Sequence, residues 1–364
     1  MKIGIIAHLK HPIIAPFAGG LEVFTHQITS LLGSRGHQVT LFASSSSDSN
    51  LPLDPILSDD YYDKSSGLRI KRKDLPSEYI AEHHAYFELM MKLDSYGLDV
   101  VFNNSLHYIP ITMASLIDTP MLTVLHTPPF YELSLAIKAE RVNPVVNYAT
   151  VSQFNAKNWS ALIQDCEVIP NGIDLSEWSA IPHSTHQEPY AVWFGRIHPD
   201  KGLQYAINAC KKAGIKLKIA GGIADQKYFK NEIEPLLHEK IELLGLLERK
   251  ALQKLIANAQ VCVVTPTWQE PFGLVIAEAM ATGTPVAGFR MGALSELINP
   301  SCGILVDFAD TDALAKAILE AQQLNRETIG RYASEQFDIE TMITHYEHLL
   351  NVVADKSRTK IFTI

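Results

Sequence analysis

The sequence predicts an α/β protein in two halves. Three observations carry that expectation. Short apolar runs of strand type alternate with helix-forming runs from Lys2 to Val353. Strand runs commonly end in Gly, Pro or polar residues, the place where ligands of open α/β sheets sit. The chain has 364 residues, 47% of them hydrophobic, enough for two globular domains with a core each.

Lys2 to Ala7 reads as the first strand. The loop Leu9 to Ala18, with Pro12 and Pro16, leads to Gly19-Gly20-Leu21-Glu22, after which Leu21, Phe24, Ile28, Leu31 and Leu32 keep helical spacing until Arg35-Gly36. Gly19 and Gly20 therefore open a helix. Glycine there lets backbone approach a phosphate or a sugar, though Gly-Gly before a helix is more often turn chemistry alone. No Gly-x-Gly-x-x-Gly follows the first strand, so the dinucleotide fingerprint is absent. Val39 to Ala43 is a second strand, and Ser44 to Ser49 a polar loop. Asp99 to Asn104 and Met121 to Leu125 are two more strands, with His107 and His126 just beyond them. A lone histidine at such a place is commonly structural. Ala149 to Ser152 is a further short strand, followed by the run Glu167 to Asp174, while residues 44 to 98 match no motif.

The second half opens with the strand Ala191 to Phe194, then Gly195-Arg196-Ile197-His198-Pro199-Asp200-Lys201-Gly202, then a helix from Leu203 to Ala213. Arg196 and Lys201 project from that loop. A guanidinium fork and an ammonium point charge suit a diphosphate leaving group, whose oxygens gain charge as a sugar departs. Lys216 to Gly222 and Ile241 to Leu246 are strand-to-loop junctions. Val261 to Val264 is a buried-strand pattern and Pro285-Val286-Ala287 the next strand, with a helix from Leu274 to Ala281 between them. Pro271 and Gly273 suit the turn before this helix, and Thr282-Gly283 ends it. The amides from Gly273 to Val275 are then free at the helix mouth, where those donors and the dipole favour a phosphate. Glu278, ~7 to 8 Å along the helix and leaning back toward its start, reaches a sugar hydroxyl beside that phosphate. Glu270, ahead of the helix, reaches a group on the other side. Carboxylates accept from vicinal hydroxyls. One diphosphate flanked by two sugars is a nucleotide sugar.

Asp310-Thr311-Asp312 imitates a metal-binding Asp-x-Asp. It stands directly before the helical run Ala313 to Ile318, so helix capping accounts for it and no metal is expected. A net charge of −9 argues against nucleic acid as a partner. It also leaves membrane contact unindicated; the densest basic run, Arg69-Ile70-Lys71-Arg72-Lys73, reads as a solvated loop. Cys166, Cys210, Cys262 and Cys302 form no close pair, and the start of the chain has no signal-peptide pattern, so reduced thiols and a cytoplasmic location are expected.

The run from Glu270 to Val286, Glu-Pro-Phe-Gly-Leu-Val-Ile-Ala-Glu-Ala-Met-Ala-Thr-Gly-Thr-Pro-Val, resembles the signature of the family-four retaining glycosyltransferases. The spacing of Gly195-Arg196 and Lys201-Gly202 is similar to a second pattern of that family. The resemblance implies the α/β GT-B fold, two Rossmann-like domains facing each other across a cleft. It implies an acceptor domain over residues 1 to 176 and a donor domain over residues 177 to 338, with a helix from about 339 to 364 packing back on the first. Catalytic roles are implied for His126, Arg196, Lys201 and Glu270. Donor contacts are implied at Gly19, Gly20, Arg196, Lys201, Gly245, Leu246, Glu270, Phe272, Gly273, Leu274, Val275 and Glu278, with backbone near Gly245-Leu246 meeting the base. The donor would be a UDP- or GDP-linked sugar, without a cofactor. Retention would come from same-face attack assisted by the leaving phosphate, because no carboxylate nucleophile is found opposite. Two rivals are a sugar-nucleotide epimerase of the same fold and a silent nucleotide-sugar binding protein. The intact set of Arg196, Lys201, Glu270 and Glu278 argues against silence.

Overall fold

The computed structural model describes residues 1–58, 77–178 and 188–361. Its contacts divide the chain into two units. Unit 1 is Met1–Val151, Ala156–Ile169 and Ile343–Ile364; unit 2 is Ser152–Asn155 and Pro170–Met342.

Unit 1 contains β1 (Lys2–Ala7), α1 (Gly20–Ser34), β2 (Gln38–Ser44), β3 (Leu53–Leu57), α2 (Ser77–Lys92), β4 (Val100–Asn104), α3 (Tyr108–Met113), β5 (Met121–Leu125), α4 (Tyr131–Glu140), β6 (Val146–Thr150), most of α5 (Gln153–Trp159) and β7 (Cys166–Val168). Its strands pair in parallel in the order β3-β2-β1-β4-β5-β6-β7. Every side chain of β4 and β5 is buried, as expected for strands covered on both faces, and the polar ones, Asn103, Asn104 and Thr123, are buried with the rest. The order reverses between β1 and β4, where Ala7 pairs with Asn104, so the loops leaving these two strands diverge from a common crevice. The helix predicted after Gly19-Gly20 runs to Ser34 and ends at Arg35-Gly36 as expected.

Three elements differ from the sequence reading. β3 and α2 fall in the stretch without a motif; β3 pairs with β2 alone, and this edge place tolerates Pro55. The strand expected at Ala149 to Ser152 starts earlier, at Val146, because Val146, Asn147 and Tyr148 pair with Met121, Leu122 and Thr123. Ser152 lies outside it and donates to the Pro271 carbonyl at 2.6 Å within unit 2. The run Arg69 to Lys73 lies outside the described residues.

Unit 2 contains β8 (Tyr190–Phe194), α6 (Leu203–Ala213), β9 (Lys216–Ala220), β10 (Ile241–Gly245), α7 (Arg249–Ala257), β11 (Val261–Val264), α8 (Leu274–Ala281), β12 (Val286–Phe289), β13 (Gly303–Val306), α9 (Thr311–Ala321) and α10 (Arg326–Gln336). The parallel order is β10-β9-β8-β11-β12-β13, reversing between β8 and β11. The last helix, α11 (Ile339–Ile361), starts in unit 2 and continues in unit 1, where buried Tyr346 packs against Phe24 and Phe102 and Glu347 pairs with Arg35 at 2.9 Å. The core of unit 2 gathers Leu203, Ile207, Leu217, Ile219, Val263 and Phe289 under α6 and α9. Asp310 caps α9 by accepting from Ala313 N–H at 2.8 Å, and Asp312 pairs with Lys212, so the Asp-x-Asp look-alike is a helix start. No helix of the described residues is long and apolar enough to cross a membrane.

Candidate active site

The loops after β8 and β11 leave neighbouring strands at the reversal point of the unit 2 sheet. They carry the residues the sequence singled out. α8 has the predicted bounds, Leu274 to Ala281, and starts from Gly273 in a left-handed conformation (φ 106°). Ile276, Ala277, Ala279 and Met280 are buried, so the helix is seated by its apolar side chains, with a fully buried Ile contributing ~2 kcal/mol. Its far end is tied by Arg326, whose guanidinium donates to the Ala257 and Ala259 carbonyls at 2.6 and 2.9 Å and to Thr284 Oγ1 at 3.0 Å. The N-terminal amides are thereby held at a fixed place. Leu274 and Val275 are half-buried there, whereas Phe272 turns its ring inward against Phe337, 4% exposed, and has only its backbone to offer a donor.

The loop after β8 is laced to the loop after β11. Thr265 Oγ1 donates to the Gly202 carbonyl at 3.0 Å, Thr267 N–H to the Asp200 carbonyl at 2.8 Å and Thr267 Oγ1 to the Pro199 carbonyl at 3.0 Å. Gly202, at φ 61°, passes so close that a Cβ would stand 2.1 Å from the Thr265 carbonyl oxygen; no other residue fits. Lys201 is fixed by this approach. Its Nζ lies 2.6 Å from Glu270 Oε2, and Trp268 Nε1 donates to the same oxygen at 3.0 Å. The ammonium also sits 5.5 Å from the centre of the Trp268 ring. The two residues assigned separate tasks by the sequence thus stand as one pair, and Trp268, for which the sequence indicates no role, is its third member.

Behind Glu270 the backbone is clamped. Ala293 N–H donates to the Glu270 carbonyl at 2.8 Å and Gly292 N–H to Gln269 Oε1 at 3.0 Å. Arg196 is more open, half exposed and 3.4 Å from Asp200 Oδ2, and Asp200 also holds His198 Nδ1 at 2.7 Å. Glu278 is half-buried on α8, and burial pushes its carboxyl up to about 7, with nearby Arg249 opposing and Glu177 adding to the rise. Gly245 ends β10, its carbonyl accepting from Gly221 N–H at 2.8 Å, and Leu246 is 65% exposed.

Gly19, Gly20 and His126 belong to unit 1. Gly19 is the N-cap of α1 and Gly20 its first residue. His126 follows β5, its ring edge-on to Phe24 at 4.7 Å, and its Nε2 is buried with no hydrogen-bond partner among the described residues. Burial, with His8 adding, drives its pKa down to about 3, so the imidazole is neutral at physiological pH. His8 Nε2 lies 3.1 Å from Glu22 Oε1. That contact, working against burial, holds the Glu22 carboxyl below its ordinary value. Neither His8 nor Glu22 was singled out from the sequence.

Two family models match the chain in tandem: Glycosyltransferase Family 4 over residues 18–177 and Glycosyl transferases group 1 over residues 176–336. The chain belongs to the family 4 glycosyltransferases. This glycosyltransferase is similar to the glycogen synthase of Mycobacterium tuberculosis, 25% identical over 94% of the chain and 93% of that protein. It is also similar to the phosphatidyl-myo-inositol mannosyltransferase of Mycobacterium leprae, 24% identical over 88% and 87%. Among solved structures, HepE of Anabaena in complex with UDP and glucose has a TM-score of 0.76 at 19% identity, covering 96% of this chain and 99% of that one. The sucrose-phosphate synthase of Thermosynechococcus elongatus has a TM-score of 0.73 at 20% identity, covering 96% and 98%. The fold of the glycosyltransferase is therefore the α/β GT-B fold expected from the sequence.

Proposed function

We propose that this glycosyltransferase takes a hexosyl group from a nucleoside diphosphate sugar, UDP- or GDP-linked, and transfers it with retention of configuration to an acceptor hydroxyl. One observation carries the donor assignment: Lys201, Glu270 and Trp268 meet in three mutual contacts beside the start of α8, at the reversal point of the unit 2 sheet. A cation, a carboxylate and free helix amides together are the complement of a diphosphate attached to a polyhydroxylated ring. The complex of HepE with UDP and glucose supports a uridine-linked donor.

In this reading the diphosphate draws Lys201 toward itself and rests on the α8 amides from Gly273 to Val275, with Arg196 as second cation. Glu270, partly released from Lys201, accepts from hydroxyls of the donor sugar. Glu278 accepts from the ribose, and backbone at Gly245-Leu246 lines the base. As the sugar departs, charge grows on the phosphate oxygens; removing one charge-stabilising contact of this type costs ~2 to 4 kcal/mol in the barrier. The two cations and the helix start supply that stabilisation, so the reaction runs without a metal. Gly19, Gly20 and neutral His126 serve from unit 1, His126 as a hydrogen-bonding group and not as a cation. The enzyme works in the cytoplasm.

A thermal-shift screen of UDP, GDP and their hexose conjugates, repeated in EDTA, tests this. One base is expected to stabilise the protein, and its sugar conjugate to be consumed when an acceptor is added. No shift with either base removes the donor assignment. Conversion of the donor sugar with no acceptor present would instead support the epimerase reading.

A further inference from the structure

The turn that carries Glu270 is anchored from two directions inside unit 2. One anchor is Ala293, whose N–H donates to the Glu270 carbonyl at 2.8 Å. The other is Ser152, 3% exposed, whose hydroxyl donates at 2.6 Å to the carbonyl of the next residue, Pro271. Proline has no amide hydrogen, so this carbonyl is the one hydrogen-bonding group its backbone offers.

Ser152 also caps α5. Its Oγ accepts from Asn155 N–H at 3.1 Å, the ordinary task of a serine ahead of a helix. The two amides before Asn155 are served from far along the chain: Glu296 Oε2 accepts from Gln153 N–H at 2.9 Å, and Oε1 accepts from Phe154 N–H. Glu296 lies in the short helical turn Leu294–Leu297, and its own N–H donates to the Ala293 carbonyl at 2.8 Å. The links close a ring, from Glu270 through Ala293, Glu296, the first turn of α5, Ser152 and Pro271 back to Glu270.

Capping alone does not call for this ring. A serine cap uses an oxygen lone pair, and its hydrogen is free to go to water. Here that hydrogen is given to the residue beside Glu270, 119 positions away in the sequence. The start of α5 thereby braces the backbone of residues 270 and 271, and with it the side chain that meets Lys201 Nζ and Trp268 Nε1. α8 is seated separately, by its own apolar side chains and by Arg326, so the brace acts on Glu270 more than on the helix amides.

We propose that Ser152 and Glu296 are positioning residues of the transfer reaction, holding the Glu270 carboxylate where the donor sugar meets it. The proposal rests on the donor assignment of Glu270, and neither residue need touch the substrate. Misplacing a reacting group by about 1 Å can cost ~10²-fold in rate, so the brace should show in turnover more than in nucleotide binding.

The test uses the full chain with nitrogen-15 in its four tryptophans, because Trp268 Nε1–H is donated to Glu270 Oε2 and its signal reports where that carboxylate stands. The signal is assigned by its loss in Trp268→Phe. Ser152→Ala, Glu296→Ala and Glu296→Gln are compared with Asp310→Ala, which removes the cap of α9 and so matches the loss of one helix cap. The expected result is a displaced Trp268 signal in Ser152→Ala and Glu296→Ala, a smaller displacement in Glu296→Gln, which keeps one accepting oxygen, and a parent-like signal in Asp310→Ala. Hydrolysis of UDP-glucose, or of GDP-mannose if GDP is the nucleotide bound, should fall about tenfold or more per folded molecule in the first two variants, with Kd for the free nucleotide within about threefold. A structural role alone would lower Tm, as in Asp310→Ala, and leave the signal and the rate of the folded molecules in place. Glu296 is exposed, so Glu296→Gln gives the answer should Ser152→Ala not fold. A Trp268 signal unmoved in the Ser152 and Glu296 variants, an equal displacement in Asp310→Ala, or a displaced signal with a parent-like rate overturns the proposal. If neither UDP nor GDP binds the parent, the donor assignment falls and takes this proposal with it; nucleotide binding with an unmoved Trp268 signal removes this proposal alone.

Discussion

Replacing Glu270 by glutamine separates two tasks that one carboxylate holds. Its Oε2 is engaged by Lys201 at 2.6 Å and by Trp268 at 3.0 Å. The two side chains are 26% and 14% exposed, so the pair belongs neither to the solvent-exposed class, worth ~0 to 1 kcal/mol, nor to the fully buried class, where breaking a pair costs ~3 to 5 kcal/mol. A coupling of ~2 kcal/mol between Lys201 and Glu270 follows, measurable by urea unfolding of Lys201→Met, Glu270→Gln and the double variant. A diphosphate that recruits Lys201 must work against this coupling. In Glu270→Gln the competition is weakened, and UDP, if it is the base bound, should bind about fivefold more tightly, ~1 kcal/mol. Transfer should nevertheless fall about a hundredfold or more, because the sugar hydroxyls lose a charged acceptor. Calorimetry with the nucleotide and single-turnover rates on the same preparation give both numbers. Parallel losses in binding and transfer would mean that Glu270 merely keeps its loop in shape. Unfolding energies that add within ~0.5 kcal/mol would mean the 2.6 Å contact carries no coupling.

Trp268→Phe keeps a ring beside Lys201 and removes the N–H held by Glu270; kcat should fall about tenfold with donor KM within about threefold, whereas a matching rise in KM would refute a positioning role for the indole. Glu278 should give nucleotide binding a pH dependence: its carboxyl titrates at about 7, the ionised form is the better acceptor for ribose, and affinity should therefore fall as pH drops from 8 to 6. Glu278→Gln should bind about tenfold more weakly at pH 8 with a flat profile over that range, and an unchanged slope would remove the ribose assignment. Gly292 (φ 60°) passes so near Glu270 that a Cβ would stand 2.2 Å from its carbonyl oxygen, so Gly292→Ala should lower unfolding free energy by about 2 kcal/mol or more and depress transfer, while parent-like stability would show that the clamp is slack.

The parts of this molecule that are local in the chain were legible from it. β1, α8 and the end of α1 at Arg35-Gly36 lie where periodicity and stop signals place them, because one short stretch contains the whole cause of each. β3 was not legible: Pro55 argues against a strand, and only its edge position beside β2 overrides that. The chemistry divides in the same way. Lys201, Glu270 and Glu278 stand in recognisable runs, but the contact that joins Lys201 to Glu270 spans 69 residues and is made by the folding of β8 beside β11. Trp268 gains its part only through that contact. Phe272 stands inside the signature run, yet its ring belongs to the core with Phe337. His107 looked like any histidine beyond a strand, and only the Ile109 N–H donated to its Nδ1 at 3.2 Å gives it a fixed tautomer.

The central claim is retaining transfer from a nucleoside diphosphate sugar without a metal. Its most direct measurement is proton NMR of a reaction run in EDTA with the donor that the stability screen selects, following release of the nucleoside diphosphate and the anomeric coupling of the transferred sugar. An α-linked donor should yield an α-linked product at a rate unchanged by the chelator. A β-linked product would contradict retention, and turnover that stops in EDTA and returns with magnesium or manganese would contradict the assignment of charge stabilisation to Arg196, Lys201 and the start of α8.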